Sequence, residues 1–483
     1  MIRSRLSAFF VGAILLVFLA APQAVRAAEK PDAAHVLQHW NDTMYRMLRE
    51  LNRYDRENRP QRSGDTAVRS ARAAAMMHGA IFDAINGISG RYEPYRMTRE
   101  EQTPASREAA TMEAAFVVLE GLFGEHGGEL AGRGIVAQTQ NVLNSARQTE
   151  LVRLMERIRA GDLTEKKMRA GMAWGREVGE AMLRWREEDG SHITEEYDDF
   201  IVKKGRYRMD ELTPDANIYA AEPYWGHRIE PFVLERITQF MVPGPPSLDS
   251  EEWKRDLAEV RELGRRERYN PANYPGGELP PEVDYQYRTA FFWASKGLQP
   301  DGGKNSLGTI TPAGDWCRII DYLVAERELD LEEASRLYTL FKLAGVDATS
   351  ACWYFKYEHN LWRPVHAVRS GIEDENHPDA DWLPMIPTSQ HPEYVSGHST
   401  ACGVGAAVLS RFFGTDNVTF TITGDDAIAD EERTFTSFTE AAEEAGRSRI
   451  YGGIHYEFAN RDGQLLGRAI GKYVFENYLR PVE

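Results

Sequence analysis

The sequence predicts an all-α protein, helical bundles arranged as two packed lobes, and three observations predict it. Nearly every periodic segment carries its apolar residues at three- and four-residue intervals. Strand-like alternation is scarce, and helical segments continue on both sides of one long irregular stretch. Length alone suggests about three domains, but the chemistry-bearing motifs sit together near the end of the chain, which favours one unit of two lobes.

At the N-terminus, Arg3 and Arg5 precede an apolar run from Phe9 to Ala21, and Val25-Arg26-Ala27 puts small residues at a cleavage position. Residues 1–27 read as a signal peptide, and the mature chain as secreted or periplasmic with no stable membrane insertion after cleavage. An uncleaved anchor is the competing reading; the run is short for a span, and Pro22 with the alanines after it suits cleavage better. Residues 28–248 are expected to form an N-terminal helical lobe with an irregular covering segment, and 249–483 a C-terminal helical lobe carrying an oxyanion site.

In the first lobe Val68, Met76, Met77, Ile81 and Ile85 predict a helix over 66–86, stopped by Gly87. Further helices are expected over 105–123, 134–159, 164–186, 250–264, 315–328 and 331–359. Residues 189–248 break into Pro-, Gly-, Tyr- and Trp-rich sequence, and 269–281 are similarly irregular. A long irregular segment inside a compact domain is usually a functional covering or a connector.

The chain has 57 basic and 74 acidic residues, a formal net charge of −17. Removing residues 1–27 takes away three basic residues and no acidic one, leaving −20. That balance argues against nucleic acid or an anionic membrane as partner. Cys317, Cys352 and Cys402 lack metal-ligand spacing and are expected to be buried small hydrophobes. Nothing sets the oligomeric state, and a homo-oligomer is compatible with the sequence.

In so acidic a chain, a cluster of cations is conspicuous. Lys356 is followed after six residues by Arg363-Pro364; Ser396-Gly397-His398 comes later, and then Ser448-Arg449, five residues and His455. Ser396 is placed to cap the helix that carries Val404, Val408, Leu409, Phe412 and Phe413. The first N–H groups of such a helix have no internal partners and attract anions, and Gly397 lets backbone approach a ligand. Guanidinium forks on Arg363 and Arg449 suit oxyanion oxygens, and Lys356 adds a compact charge. Each cation alone is more simply a solvated helix residue, and Ser-Gly alone is explained by capping. Together they make the kit for holding a tetrahedral oxyanion, with one imidazole bonding its central atom and the other acting as acid or base. His78, on an Ala- and Met-rich helix, reads as a core residue.

These three segments resemble the signatures of the superfamily that joins type 2 phosphatidic acid phosphatases to vanadium-dependent haloperoxidases. Residues 351–479 look like a bacterial haloperoxidase of that group, notably at Leu361-Trp362-Arg363-Pro364 and Ser448-Arg449-Ile450-Tyr451-Gly452-Gly453-Ile454-His455. The resemblance implies a helical-bundle fold and a vanadate cofactor, with phosphate as its isosteric occupant. It implies that His455 bonds vanadium, that Lys356, Arg363, Arg449, Ser396 and the Gly397 amide hold equatorial oxygens, and that His398 contacts the apical one. Hydrogen peroxide, a halide and an organic acceptor would be the substrates, with Lys356 polarising peroxide.

His391, seven residues before His398, occupies a position that the resemblance makes histidine in bromoperoxidases and usually phenylalanine in chloroperoxidases. This implies oxidation of bromide and iodide; the plain alternative is a loop histidine with no contact to the site. Trp353 matches an aromatic of haloperoxidase sites, although a core tryptophan is the simpler account. Two positions depart from the pattern. Val395 replaces a usual Pro, which is expected to loosen the loop but spare its contacts. Ala459 replaces a usual Asp that orients the nucleophilic imidazole of a phosphatase, so its loss weighs against hydrolysis unless Asn460 or Asp462 substitutes.

The expected function is therefore a vanadium-dependent haloperoxidase, an oxidoreductase of the peroxidase kind. The alternative is an exported acid phosphatase with His455 as nucleophile and His398 protonating the leaving group. A non-catalytic oxyanion-binding protein fits less well, because binding alone needs no second imidazole.

Overall fold

Apolar seams, side-chain caps and close-packed glycines set the helices of this chain. The computed structural model describes residues 33–58, 66–100, 103–124, 136–191, 203–208, 224–294, 312–370, 379–389, 391–424 and 431–482. Along the N-terminal half run α1 (Ala33–Asn58), α2 (Thr66–Ser89), α3 (Arg107–Phe123), α4 (Val136–Ala160) and α5 (Glu165–Trp185). The second half holds α6 (Glu251–Leu263), α7 (Pro281–Phe292), α8 (Pro312–Glu326), α9 (Leu331–His359), α10 (Pro364–Arg369), α11 (Gly397–Phe412), α12 (Phe438–Tyr451) and α13 (Glu457–Asn477). One antiparallel hairpin, β1 (Phe420–Thr423) with β2 (Glu432–Phe435), pairs Phe420 opposite Phe435. The fold is all-α as expected. The signal peptide lies outside the described residues, among which no helix is long and apolar enough to cross a membrane.

Residues 33–483 form one compact unit, and α9 links its parts. Its start is fixed by a capping box, Asp330 accepting from the Glu333 N–H while the Glu333 side chain accepts from the Asp330 N–H. One side of α9 packs on α2, which packs on α3; another meets α11 and α13. Nearly its whole length is buried, so its sequence reads as apolar all round with isolated polar exceptions.

One exception ties down the irregular segment. The buried Asp347 carboxylate accepts the backbone N–H groups of Phe232, Val233 and Leu234 at 2.7, 2.8 and 2.8 Å. Just before them, residues Tyr224–Arg228 form a 3₁₀ turn whose Gly226 lies under the ring of Trp353. Earlier in the segment, Arg206 bridges to Leu361, Trp362 N–H donates to Gly205 O at 3.1 Å, and Tyr207 N–H donates to Asn360 O at 2.8 Å. The covering segment thus grips the chain just before Arg363.

Several boundaries differ from expectation for definable reasons. Gly87 does not stop α2, which continues to Ser89; a Cβ at Gly87 would come 2.7 Å from the Trp174 ring, so the glycine serves packing, and Gly90 at φ +67 makes the turn. Helices α1, α7, α10, α12 and α13 and the hairpin were not anticipated. Helix α1 did carry a seam, with Val36, Leu37, Trp40, Met44, Met47, Leu48 and Leu51 all buried. Helix α13 hides its character behind Gly463, Gly467 and Gly471, which resemble breakers. They are a close crossing instead: a Cβ at Gly467 would lie 2.0 Å from Thr400 O on α11. The three cysteines are free and buried, on α8, α9 and α11.

Burial pushes the Asp347 carboxyl up to about 6, against the three N–H groups that pull it down. Folded Asp347 therefore keeps its proton to higher pH than the unfolded chain, whose value is near 3.8. Between those values the folded state binds more protons, so this residue's contribution to stability falls as pH rises through the window. Asp347→Asn is expected to be less stable at every pH, because an amide cannot accept all three N–H groups, but to lose that slope. Urea midpoints of both proteins from pH 4 to 7 check this; parallel curves would contradict it.

Candidate active site

Four short stretches converge below the end of α9, each turned there by its local sequence. Helix α9 ends at Asn360 in the left-handed conformation, φ 47, and Pro364 starts α10 with Arg363 as its N-cap. Ser396 is the N-cap of α11, its Oγ accepting from Ser399 N–H at 3.4 Å. Arg449 stands in the last turn of α12, and Gly453 at φ +77 returns the chain so that His455 precedes α13. A side chain at 453 would also strike Gly264 O, at 2.5 Å.

Arg363 is fully buried and central. Its Nε donates to His391 O at 2.9 Å, Nη1 donates to Ile454 O at 2.8 Å and to His455 Nε2 at 3.1 Å, and Nη2 lies 2.8 Å from His391 Nδ1. A guanidinium only donates, which assigns a lone pair to His455 Nε2, whereas His391 Nδ1 lies between Arg363 Nη2 and the Pro392 carbonyl, 3.0 Å away. His391 therefore contacts the site, and the plain loop reading falls. Its ring also lies 5.1 Å from the ring of Trp353.

Lys356 is equally buried, and its ammonium contacts the carbonyls of Pro392, Glu393 and Val395 at 3.1, 3.0 and 2.5 Å. The Val395 carbonyl also accepts from Cys352 Sγ at 3.6 Å. With valine in place of proline the loop keeps these contacts.

His455 carries a neutral ring. Burial first, then Arg363, Lys356, His391 and Arg449, hold its pKa well below the ordinary value, which also shows that these groups lie within Coulombic reach of one another. Its Nδ1 lies 2.8 Å from Glu393 Oε1, which accepts the Tyr456 N–H at 3.0 Å as well. With the lone pair on Nε2, the proton sits on Nδ1 and faces the carboxylate. Burial pushes Glu393 up to about 7, opposed by Arg363, the Tyr456 N–H and Lys356.

The sequence reading missed Glu393. The signal was a carboxylate in the same loop as His391 and Ser396, masked by attention to the segment after His455. The substitutes expected there are engaged elsewhere. Asn460 Oδ1 accepts from Ser399 Oγ at 2.7 Å, and Asp462 Oδ2 accepts from Tyr394 OH at 2.8 Å. Ala459 is buried, and its carbonyl accepts Ser396 N–H at 3.1 Å.

Arg449 completes the cluster. Its Nη1 donates to Trp293 O at 2.6 Å, while Nε and Nη2 are buried with no hydrogen-bond partner among the described residues. Burial and the neighbouring Arg363 push its pKa down to about 9 against the opposing pull of Cys402 and Asp315, so it stays charged at neutral pH. Gly397 and His398, in the first turn of α11, are half-buried where the other candidates are buried, so the site meets solvent there. Unpartnered guanidinium donors beside a neutral imidazole lone pair fit an oxyanion whose central atom takes a nitrogen ligand. Among the described residues no group of three or more His, Cys, Asp or Glu side chains is arranged to hold a metal cation.

Residues 336–483 match the family model of the VCPO second helical-bundle domain. Among characterised proteins, the vanadium chloroperoxidase of Curvularia inaequalis is 30% identical over 103 residues, 19% of this chain and 16% of that protein's length. The fold is similar to a bacterial vanadium-dependent iodoperoxidase, with a TM-score of 0.71 at 22% identity over 93% of this chain and 97% of that one. It is also similar to a bacterial vanadium-dependent chloroperoxidase in its apo form, with a TM-score of 0.59 at 14% identity over 84% of this chain and 92% of that one. These likenesses support the resemblance to vanadium haloperoxidases drawn from the three motifs.

Arg449 generates a test of the oxyanion reading. Inorganic phosphate is expected to raise the melting temperature of the wild type and that of Arg449→Met much less, with affinity lost about tenfold to about a thousandfold, or about 1.5–4 kcal/mol, for a charged hydrogen-bond set. Calorimetric titration and thermal melts measure both. Equal phosphate stabilisation of the two proteins would remove Arg449 from the site.

Proposed function

We propose that this chain is an exported vanadium-dependent haloperoxidase, which oxidises bromide and iodide with hydrogen peroxide to hypohalous equivalents that react with an organic acceptor. The observation that carries the reading is the neutral His455, its Nε2 lone pair facing Arg363, beside the unpartnered Nε and Nη2 of Arg449. Vanadate fits that donor set: His455 Nε2 would take vanadium, and Arg363, Arg449, Lys356, Ser396 and the Gly397 amide would hold its oxygens. Bound there, it supplies a Lewis acid that activates peroxide without changing oxidation state.

The chain's own residues do the rest. Glu393 keeps the proton of His455 on Nδ1, so that Nε2 stays a ligand atom. Arg363 and Arg449 neutralise oxyanion charge where little water reaches, which strengthens each contact. His398, half-buried at the open side, exchanges protons between the site and solvent. The unused N-terminal segment 1–27 and the division near residue 248 enter the proposal as an export signal and a boundary between two lobes.

An acid phosphatase is the second reading, and the pairing of His455 Nδ1 with Glu393 favours it to the same degree. A carboxylate-held imidazole that carries its lone pair on Nε2 is also a phosphoryl nucleophile. Ala459 therefore loses its value as an argument against hydrolysis.

Halide oxidation with orthovanadate and peroxide, run beside phosphate-ester hydrolysis, separates the two. His455→Ala is expected to lose oxidation and vanadate retention together, whereas His398→Ala keeps vanadate more weakly and loses turnover. Phosphate is expected to compete with vanadate during reconstitution. Wild-type peroxidase activity in His455→Ala would refute the assignment.

The halide preference rests on His391, whose ring nitrogens lie 2.8 and 3.4 Å from Nη2 of the same guanidinium that donates to His455. Removing that imidazole leaves Nη2 for the bound oxyanion and changes how strongly peroxide is polarised. Initial rates with chloride, bromide and iodide, in wild type and His391→Phe, are expected to show negligible chloride oxidation in the wild type and a shifted pH profile in the variant. Efficient chloride oxidation by the wild type, or identical profiles, would sink the assignment.

A further inference from the structure

We infer that Glu393 is the positioning residue of His455, supplying from the loop before α11 the carboxylate that the resemblance would put at position 459 on α13. The inference deepens the oxyanion-site reading above and rests on it for the meaning of His455. Its evidence is geometric. Glu393 Oε1 lies 2.8 Å from His455 Nδ1 and 3.0 Å from Tyr456 N, so one oxygen fixes both the ring and the backbone that carries it. The other oxygen, Oε2, is buried and has no hydrogen-bond partner among the described residues. A carboxylate kept fully buried for the sake of one backbone N–H would be a costly arrangement; an imidazole N–H on the same oxygen gives it a reason.

The other end of the ring completes the argument. Arg363 Nη1 donates to Nε2, so the ring is held between a donor that cannot accept and an acceptor. That pair selects the tautomer with its proton on Nδ1 and aims the Nε2 lone pair into the cation cluster. A carboxylate behind an imidazole ligand also raises its basicity and fixes its orientation. Position 459 has no side chain for this task, and Asn460 and Asp462 bond to Ser399 and Tyr394. Glu393 is thus the described carboxylate in contact with the ring.

The experiment uses the full, vanadate-free protein in four forms: wild type, Glu393→Gln, Glu393→Ala and the double variant Glu393→Ala with Ala459→Asp. Two quantities are read. One is the affinity for orthovanadate and for inorganic phosphate by calorimetry. The other is the ¹⁵N resonances of His455 in histidine-labelled protein, assigned by their loss in His455→Gln. Wild type is expected to show a protonated Nδ1 and an unprotonated Nε2. Glu393→Gln keeps an acceptor oxygen and that tautomer but binds anions more weakly. Glu393→Ala loses the single tautomer and binds about ten- to a hundredfold more weakly, the usual cost of removing such a partner. The double variant recovers both, which a residue that merely braces the loop would not allow.

A Glu393→Ala protein with the wild-type tautomer, or a double variant no better than Glu393→Ala, overturns the inference. The resonances need no bound anion, so they decide the role of Glu393 even if wild type binds neither orthovanadate nor phosphate. That result would overturn the oxyanion-site reading instead. Glu393→Gln covers the case in which the alanine variants fail to fold, and a Gln protein with unchanged affinity counts against the inference.

Discussion

Three cations buried around one imidazole repel one another, and the arrangement of the C-terminal half follows from how that repulsion is handled. Lys356, Arg363 and Arg449 are all fully buried, and each loses several kcal/mol of hydration on leaving water. Backbone carbonyls recover part of it: three for Lys356, two for Arg363, one for Arg449. Glu393 is the acidic group in direct contact with the ring that they surround. The cluster therefore keeps an excess of positive charge inside a chain of net charge −17. Burial first, and this repulsion after it, keep His455 neutral and lower Arg449. An oxyanion bound among these cations would offset their repulsion.

That repulsion requires a stiff frame, because loops held by like charges would otherwise spread. Helix α9 provides one wall and reaches the N-terminal helices through α2. The other wall is the crossing of α11 on α13, where Gly403 and Gly467 let backbones touch: a Cβ on Gly403 would lie 2.4 Å from Gln464 O. Close backbone approach fixes the start of α11, and with it Ser396, more tightly than interlocked long side chains could. The covering segment adds a third support by pairing with 360–362.

Sequence legibility followed the same physics. Helices with strong apolar periodicity and side-chain caps, such as α3, α5, α6 and α9, were readable to within a few residues, because their signals are local. Helix α13 was not, since its glycines answer to a neighbouring helix that the sequence does not reveal. Gly87 was misread for the same reason, its lack of a side chain being set by Trp174 across the fold. At the site, Lys356, Arg363, Ser396, Arg449 and His455 stood out as a spaced set of chemically matched groups. Glu393 did not, because a single glutamate in a polar loop means nothing until its distance from Nδ1 is known. Asn460 and Asp462 looked like substitutes by proximity in sequence, but a helix carries neighbouring side chains to different faces.

The loop 391–396 gathers these observations into one constraint. Within six residues, His391 contacts Arg363, three carbonyls hold Lys356, Glu393 holds His455 and Ser396 caps α11. Its far end is fixed to α13 through Ser396 N–H on Ala459 O, and a Cβ on Gly463 would come 2.7 Å from Ser396 O. With a carboxylate in the loop, residue 459 can stay small and let the loop settle directly on the helix. Lys356, Arg363 and His455 are then each one contact away from the same loop, and residues in one network do not contribute independently. A change at 391 reaches His455 through a single guanidinium, and a change at 395 moves the carbonyl under Lys356. Differences between this chain and its structural relatives at any one of these positions therefore carry meaning only together with the others.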